Sequence, residues 1–271
     1  MYLGVYLRVP IAIGTQSNTK GRKPKKSLFQ QPLLTYKYMK LYSKHTKYLV
    51  AVDCIIFGYD ILEKEIKLLL IKRSFDPAKG RWSLAGGFVE ENESLDEAAF
   101  RILRNLTGLE IIYMKQSYSY GNNDRDPGAR VISTAYFALI TIKDINHELT
   151  QQNGANWRSI SKLPELIFDH SDMFKKALAD LQSQVKIKPI GFELLPGKFT
   201  LVQLQDLYEA IYQREIDKRN FRKKILSMGI LEKLDEKEKE TSKKGAYYYE
   251  FDKERYEKLK QNGFYFNLDV N

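Results

Sequence analysis

The sequence predicts an α/β (α+β) mixed-sheet sandwich followed by a C-terminal winged helix-turn-helix domain. Three observations carry that expectation. β-rich runs at Leu49 to Gly58, Ile66 to Lys72, Ile111 to Tyr120 and Val131 to Ile142 interleave with stretches of helical periodicity at 93–107 and 171–181. A segment with two prolines and two glycines, VKIKPIGFELLPGK, then separates this half from two short helices and a strand pair of different character. At 271 residues and 43% hydrophobic, the chain can fill two cores. The resulting division is a basic arm over 1–40, a first domain over 41–184, a linker over 185–198 and a second domain over 199–271.

The formal net charge of +10 suggests a nucleic-acid partner until it is located. Ten of the 44 Lys and Arg lie in residues 1–50, where there is no Asp or Glu, so residues 51–271 carry 34 basic and 34 acidic groups and are formally neutral. Only local clusters can therefore speak for the main body. MYLGVYLRVPIAIG is too short to span a bilayer, and its basic run follows instead of preceding it, unlike an export signal. The expectation is a soluble, unexported, cytoplasmic protein with no membrane partner, whose arm TQSNTKGRKPKKS is disordered. Met39 stands just before the first domain, so the native start is an open point. Cys54 is the only cysteine and lies in the apolar run VAVDCIIF, which makes it a buried small hydrophobe. His45, His147 and His170 have no ligand spacing, so no zinc site is expected.

In the first domain a loop, SFDPAKGRW, leads from the second strand into the short run Trp82 to Ala85 and a glycine turn. Apolar residues at 95, 98, 99, 102, 103 and 106 form a helical stripe, and Gly108 sits where a helix C-cap belongs. A polar loop, Gly121 to Arg130, joins the last two strands. The closing helix, Ser171 to Leu181, places Met173, Phe174, Ala177, Leu178 and Leu181 inside.

The stretch GGFVEENESLDEAAFRILRNLTGL resembles the Nudix box, G-x5-E-x7-R-E-U-x-E-E-x-G-U with U aliphatic. Gly87, Glu93, Arg101, Leu103, Gly108 and Leu109 match, whereas Ile102, Asn105 and Leu106 replace the three helix glutamates. The resemblance implies a Nudix-type sandwich in which Glu93 and Arg101 pin loop to helix. A hard, hydrated cation needs converging carboxylate oxygens, and an alkyl, an amide and another alkyl group do not supply them. Glu97 and Arg101, spaced i, i+4, are expected to pair. No catalytic residue, metal ligand or cofactor is therefore assigned, and the domain is read as a binding domain instead of an enzyme. Lys72, Arg73, Phe75, Arg81 and Trp82 flank the glycine turn where the resemblance places substrates. With Glu93 and the loop residues Arg125, Asp126 and Arg130 they form the candidate effector-binding set.

In the second domain Thr200 is an N-cap, with Phe199 before it, for the helix LVQLQDLYEAIY, and Asp217 caps KRNFRKKILSM, ended by Gly229. Phe221, Ile225 and Met228 face inward. Six basic residues between Arg214 and Lys224 oppose only Glu215 and Asp217, and a second, basic helix after a short turn is the layout that enters a major groove. Arg219 and Arg222 suit guanine and Asn220 adenine, while Lys218, Lys223 and Lys224 suit phosphates. Ile230 to Leu234 and Ala246 to Phe251 form a wing hairpin, with Lys243 and Lys244 near its tip as further DNA candidates. The alternation Tyr247, Tyr249, Phe251 is read as core packing.

Together the degenerate box and FTLVQLQDLYEAIY with DKRNFRKKIL are similar to the NrtR-like family of Nudix-related transcriptional regulators, over about residues 41–260. The resemblance implies a homodimer that binds a palindromic double-stranded DNA operator and responds to a small molecule. Because the glutamates that would carry diphosphate-binding cations are absent, the expected effector is a sugar such as L-arabinose, with control of sugar-utilisation genes. ADP-ribose with control of NAD metabolism is the first alternative, and a Nudix hydrolase with an accessory domain the second.

Overall fold

The computed structural model describes residues 42–109, 113–145, 147–239 and 245–269, without the side chain of Asp144. The arm at 1–40 and the wing-tip residues Lys243 and Lys244 lie outside the described residues.

β1 (Leu49–Asp60) is the spine of the first domain. It pairs antiparallel with β2 (Glu65–Lys72) and β4 (Ala85–Phe88) and parallel with β6 (Val131–Thr141). β5 (Tyr113–Tyr120) adds to β6, while β3 (Trp82–Ser83) and β7 (Ala155–Ser159) add to β2. Val52, Cys54 and Ile56 face one apolar cluster and Ile55, Phe57 and Tyr59 the other, so β1 is apolar on both faces because both are covered. The first cluster is closed by α1 (Leu95–Thr107), which contributes Ala98, Ala99, Ile102, Leu103 and Leu106. α1 begins at a capping box, Ser94 with Glu97, and ends at Gly108 in the left-handed region at φ 75°, where a side chain is strained. Glu97 is thus held by the Ser94 backbone N–H and does not pair with Arg101 as expected, since the cap lies nearer than the next turn.

The short helix α2 (His147–Gln152) and β7 carry no strong periodicity in sequence and were not anticipated. The other cluster is covered by α3 (His170–Ile187), which runs six residues beyond the predicted end. The segment at 185–198 is not a free tether. α3 occupies it to Ile187, a 3-10 helix covers Ile190–Leu194, and Ile190, Phe192, Leu194 and Leu195 are buried.

The second domain comprises β8 (Lys198–Thr200), α4 (Leu201–Tyr212), α5 (Lys218–Ser227), β9 (Leu231–Glu238), β10 (Ala246–Phe251) and α6 (Lys253–Gln261), with β8, β10 and β9 in one sheet. Its core is continuous with that of the first domain. Leu204, Leu207, Tyr208, Phe221 and Ile225 belong to the same apolar cluster as Phe57, Met173 and Leu181. Phe192 stacks on Phe251 with ring centres 4.5 Å apart, Gln182 donates to Ile211 O at 3.0 Å, and the Leu268 N–H returns to Lys186 O at 2.9 Å. Among the described residues, no helix is long and apolar enough to cross a membrane.

Candidate functional site

A cavity of about 550 Å³ opens between the glycine turn, the end of β2, the loop around Arg125 and the start of α3. Its floor is Asp53, the one charge in the β1 apolar run, which is 8% exposed. Ser133 Oγ donates to Asp53 Oδ2 at 2.6 Å, and Arg125 Nη2 approaches the same oxygen at 3.5 Å. Arg125 also donates from Nε and Nη2 to the two carboxylate oxygens of Asp169, each at 2.8 Å. Burial opposes the Arg125 charge, but the Asp169 hydrogen bonds and the Asp53 charge more than restore it, so its pKa is raised. Gly86 faces Asp53 across the ladder, and a Cβ there would lie 2.4 Å from Asp53 Oδ1; only glycine admits the carboxylate.

His170 is 4% exposed and opens α3. The Leu84 N–H donates to its Nδ1 at 3.0 Å, which splits the predicted run Trp82 to Ala85 into β3 and β4. Burial pushes the His170 pKa down, and the Asp53 charge only partly opposes it. With Nδ1 accepting from Leu84, the ring proton sits on Nε2, 3.7 Å from Asp53 Oδ1.

The mouth is cationic and aromatic. Lys72 ends β2 and Arg73 follows it, and neither has a carboxylate partner among the described residues. Arg73 Nε donates to Pro77 O at 2.9 Å, and its guanidinium lies 4.2 Å over Phe75 and 5.8 Å from the Phe168 ring. Phe168 holds a left-handed backbone at φ 50°, a strained position for an aromatic residue, and its ring meets His170 edge-on.

Of the predicted effector residues, Lys72, Arg73, Phe75, Arg125 and Asp126 line this cavity. Arg81, Trp82, Glu93 and Arg130 do not. Ser83 faces the cavity, so strand alternation turns Trp82 to the opposite side, where Arg158 lies over its ring at 4.7 Å. Arg81 pairs with Glu165, and Arg130 donates to Asn122 O. Glu93 is taken up by Arg101, which donates to it at 2.8 and 2.5 Å. Asp53, Phe168 and His170 were missed. The signal for Asp53 was a lone carboxylate in an apolar strand; Phe168 and His170 reach the site only through the fold. Ile102 and Leu106 are 7% exposed within the apolar cluster, and Asn105 is at the surface, so the box helix presents no carboxylate at those positions.

In the second domain α4 and α5 meet through a turn pinned by two side chains. Gln205 donates to Ile216 O at 3.1 Å, and Glu209 accepts from the Ile216 N–H at 3.0 Å. Asp217 caps α5 by accepting from the Asn220 N–H at 2.7 Å. Lys218, Arg219, Asn220 and Lys223 are exposed; Arg222 and Lys224 are half-buried. The first turn of α5 carries Lys218 and Arg219 and no acid, although the helix dipole there disfavours cations by about 0.3–1 kcal/mol each. In the wing, the Lys233 and Lys237 ammonium groups lie 3.6 and 4.4 Å from the centre of the Tyr247 ring. Tyr247 is 38% exposed, so of the predicted alternating core residues only Tyr249 and Phe251 pack inward.

Comparison with known proteins follows the same division. The NUDIX domain matches residues 47–180, and the NrtR DNA-binding winged helix domain matches residues 191–251. A relative from Acinetobacter baylyi, the ADPR responsive transcriptional repressor NtrR, is 34% identical over 207 residues, spanning 75% of this chain and 82% of that protein. An ADP-ribose pyrophosphatase from Methanocaldococcus jannaschii is 34% identical over 150 residues, 54% of this chain and 83% of the other. The crystal structure of Shewanella oneidensis NrtR complexed with a 27mer DNA aligns with a TM-score of 0.65 at 27% identity, covering 74% of this chain and 93% of that one.

Proposed function

We propose that this chain, which belongs to the NrtR-like family of Nudix plus winged-helix proteins, is a cytoplasmic transcriptional regulator whose operator affinity is set by ADP-ribose. The observation that carries the DNA part is the first turn of α5. Lys218 and Arg219 sit at the positive end of a helix dipole, exposed and without an acid beside them beyond the Asp217 cap. That arrangement is unfavourable in the free protein and becomes favourable when phosphates approach. Arg219 and Asn220 then reach base edges, and Lys223 the backbone.

ADP-ribose replaces the sugar as the preferred effector. The relatives named for their ligand respond to or cleave ADP-ribose, and Lys72 and Arg73 stand at the cavity mouth as cations able to take a diphosphate in place of a metal. With Ile102, Asn105 and Leu106 on the box helix, the domain senses and does not hydrolyse. Coupling runs along α3. Its first residue, His170, lines the cavity, and its last turns hold α4 and the C-terminal segment through Gln182 and Lys186. The working unit is a homodimer on a palindromic operator, with half-sites about 34–36 Å apart.

The test is fluorescence anisotropy with operator DNA, with and without ADP-ribose. Arg219→Ala with Lys223→Ala should weaken binding and lower the salt slope by about one for the phosphate that Lys223 no longer neutralises. Unchanged affinity would remove α5 from the interface. Hydrolysis of ADP-ribose with Mg2+ would restore the enzyme reading.

A further inference from the structure

Asp53 and His170 form a donor and acceptor pair with no partner in each other. Leu84 N–H occupies His170 Nδ1, so the ring proton is on Nε2, and Nε2 lies 3.7 Å from Asp53 Oδ1, too far for a hydrogen bond. The other carboxylate oxygen is already engaged by Ser133 and Arg125, leaving Oδ1, which packs against Gly86 at the cavity wall, as the one with acceptor capacity. Both residues line the cavity, and both are buried.

A group satisfying this pair must accept from Nε2–H and donate to Oδ1 at once. A phosphate or carbonyl oxygen only accepts, and it would meet the Asp53 charge; an ammonium only donates. A hydroxyl does both, as water does, with its oxygen about 2.8 Å from each partner, so among ligand groups it is the hydroxyl that can take that place. We propose that Asp53 and His170 are the specificity-determining residues of the cavity and read a hydroxyl of an unphosphorylated sugar ring. Resting on the effector reading above, this places the distal ribose of ADP-ribose on the Asp53 floor, the diphosphate beside Lys72 and Arg73, and the base at the Phe75 mouth. The pair thereby distinguishes ADP-ribose from ADP, which has the base, the first ribose and the diphosphate but no distal sugar.

The experiment is calorimetric titration of the full-length protein, D53N and H170F with ADP-ribose, ADP and free L-arabinose and D-ribose. The wild type should bind ADP-ribose more tightly than ADP. Each variant should weaken ADP-ribose about tenfold or more while keeping the wild-type affinity for ADP, which also reports that it is folded. Variants that weaken both nucleotides equally, or neither, overturn the proposal and leave the effector reading standing. A wild type silent to ADP-ribose but binding a free pentose, with that binding abolished in D53N, overturns the effector reading and supports the role of Asp53. Silence towards every probe overturns both.

Discussion

Replacing Arg125 by methionine tests the charge network at the centre of the first domain. Its side chain is 3% exposed and lies between Asp169, 20% exposed, and Asp53, 11% exposed. Removing one partner of a buried pair leaves an uncompensated charge and costs about 3–5 kcal/mol. Because Asp169 keeps some access to water, the lower end, about 3 kcal/mol, is expected for Arg125→Met. At about 2–4 °C per kcal/mol for a chain of this size, the melting midpoint should fall by about 6–12 °C, read by circular dichroism. Asp169→Asn removes one of the stranded carboxylates, so the double variant should be less destabilised than the two single variants combined, by about 1 kcal/mol or more. Additive effects, or a midpoint shift below about 2 °C for Arg125→Met, would refute the view that this network is a coupled, buried unit.

Three further outcomes follow from the geometry. Arg101 hydrogen bonds and the Glu90 N–H hold the Glu93 carboxyl down at about 2 from an ordinary 4.5, so the stabilisation it adds is present above about pH 4.5 and is lost as pH falls toward 2; denaturation curves of wild type and Glu93→Gln should converge in that window, and parallel curves would refute the pairing. Burial, with the Asp53 charge, drives the Cys54 thiol well above its usual range, so the native protein should not react with a thiol reagent at pH 8 until unfolded, and rapid labelling would contradict its place in the core. Phe192→Ala removes the ring stacked on Phe251 and should cost about 3–5 kcal/mol, read by denaturant unfolding; a cost below about 1 kcal/mol would mean the seam is not packed as described.

What the sequence revealed was local. α1, α4 and α5 were legible because each combines apolar periodicity with a cap, at Gly108, Thr200 and Asp217. The box and the basic helix likewise lie on contiguous residues. The cavity was only half legible, because its floor is assembled across long separations: His170 meets Leu84 from 86 residues away, and Asp53 meets Ser133 from 80. Trp82 and Arg81 were misplaced because sequence proximity to the glycine turn does not say which face a strand residue takes. Prolines and glycines at 185–198 outweighed Ile190, Phe192, Leu194 and Leu195, whose apolar side chains were the signal of burial. The preference for a sugar treated a metal as the main route to a diphosphate. That gave too little weight to Lys72 and Arg73, which the fold leaves without carboxylate partners among the described residues.

The buried passage between the domains has a consequence for exchanging parts among relatives. A tethered reader could be grafted onto another sensor at any point of its tether, since lengthening a loop is cheap. Here the cut would fall through a core. A graft beginning at Lys198 would leave Ile190, Phe192, Leu194 and Leu195 facing a foreign surface, and one that dropped the chain end would unseat Phe266 and Leu268, 4% and 0% exposed. A transplant that works must carry the 3-10 segment at its front and the C-terminal residues at its back, with the outer face of α3 matched to both. Such hybrids inherit a joint, and its fit decides whether a ligand sensed on one side is felt on the other.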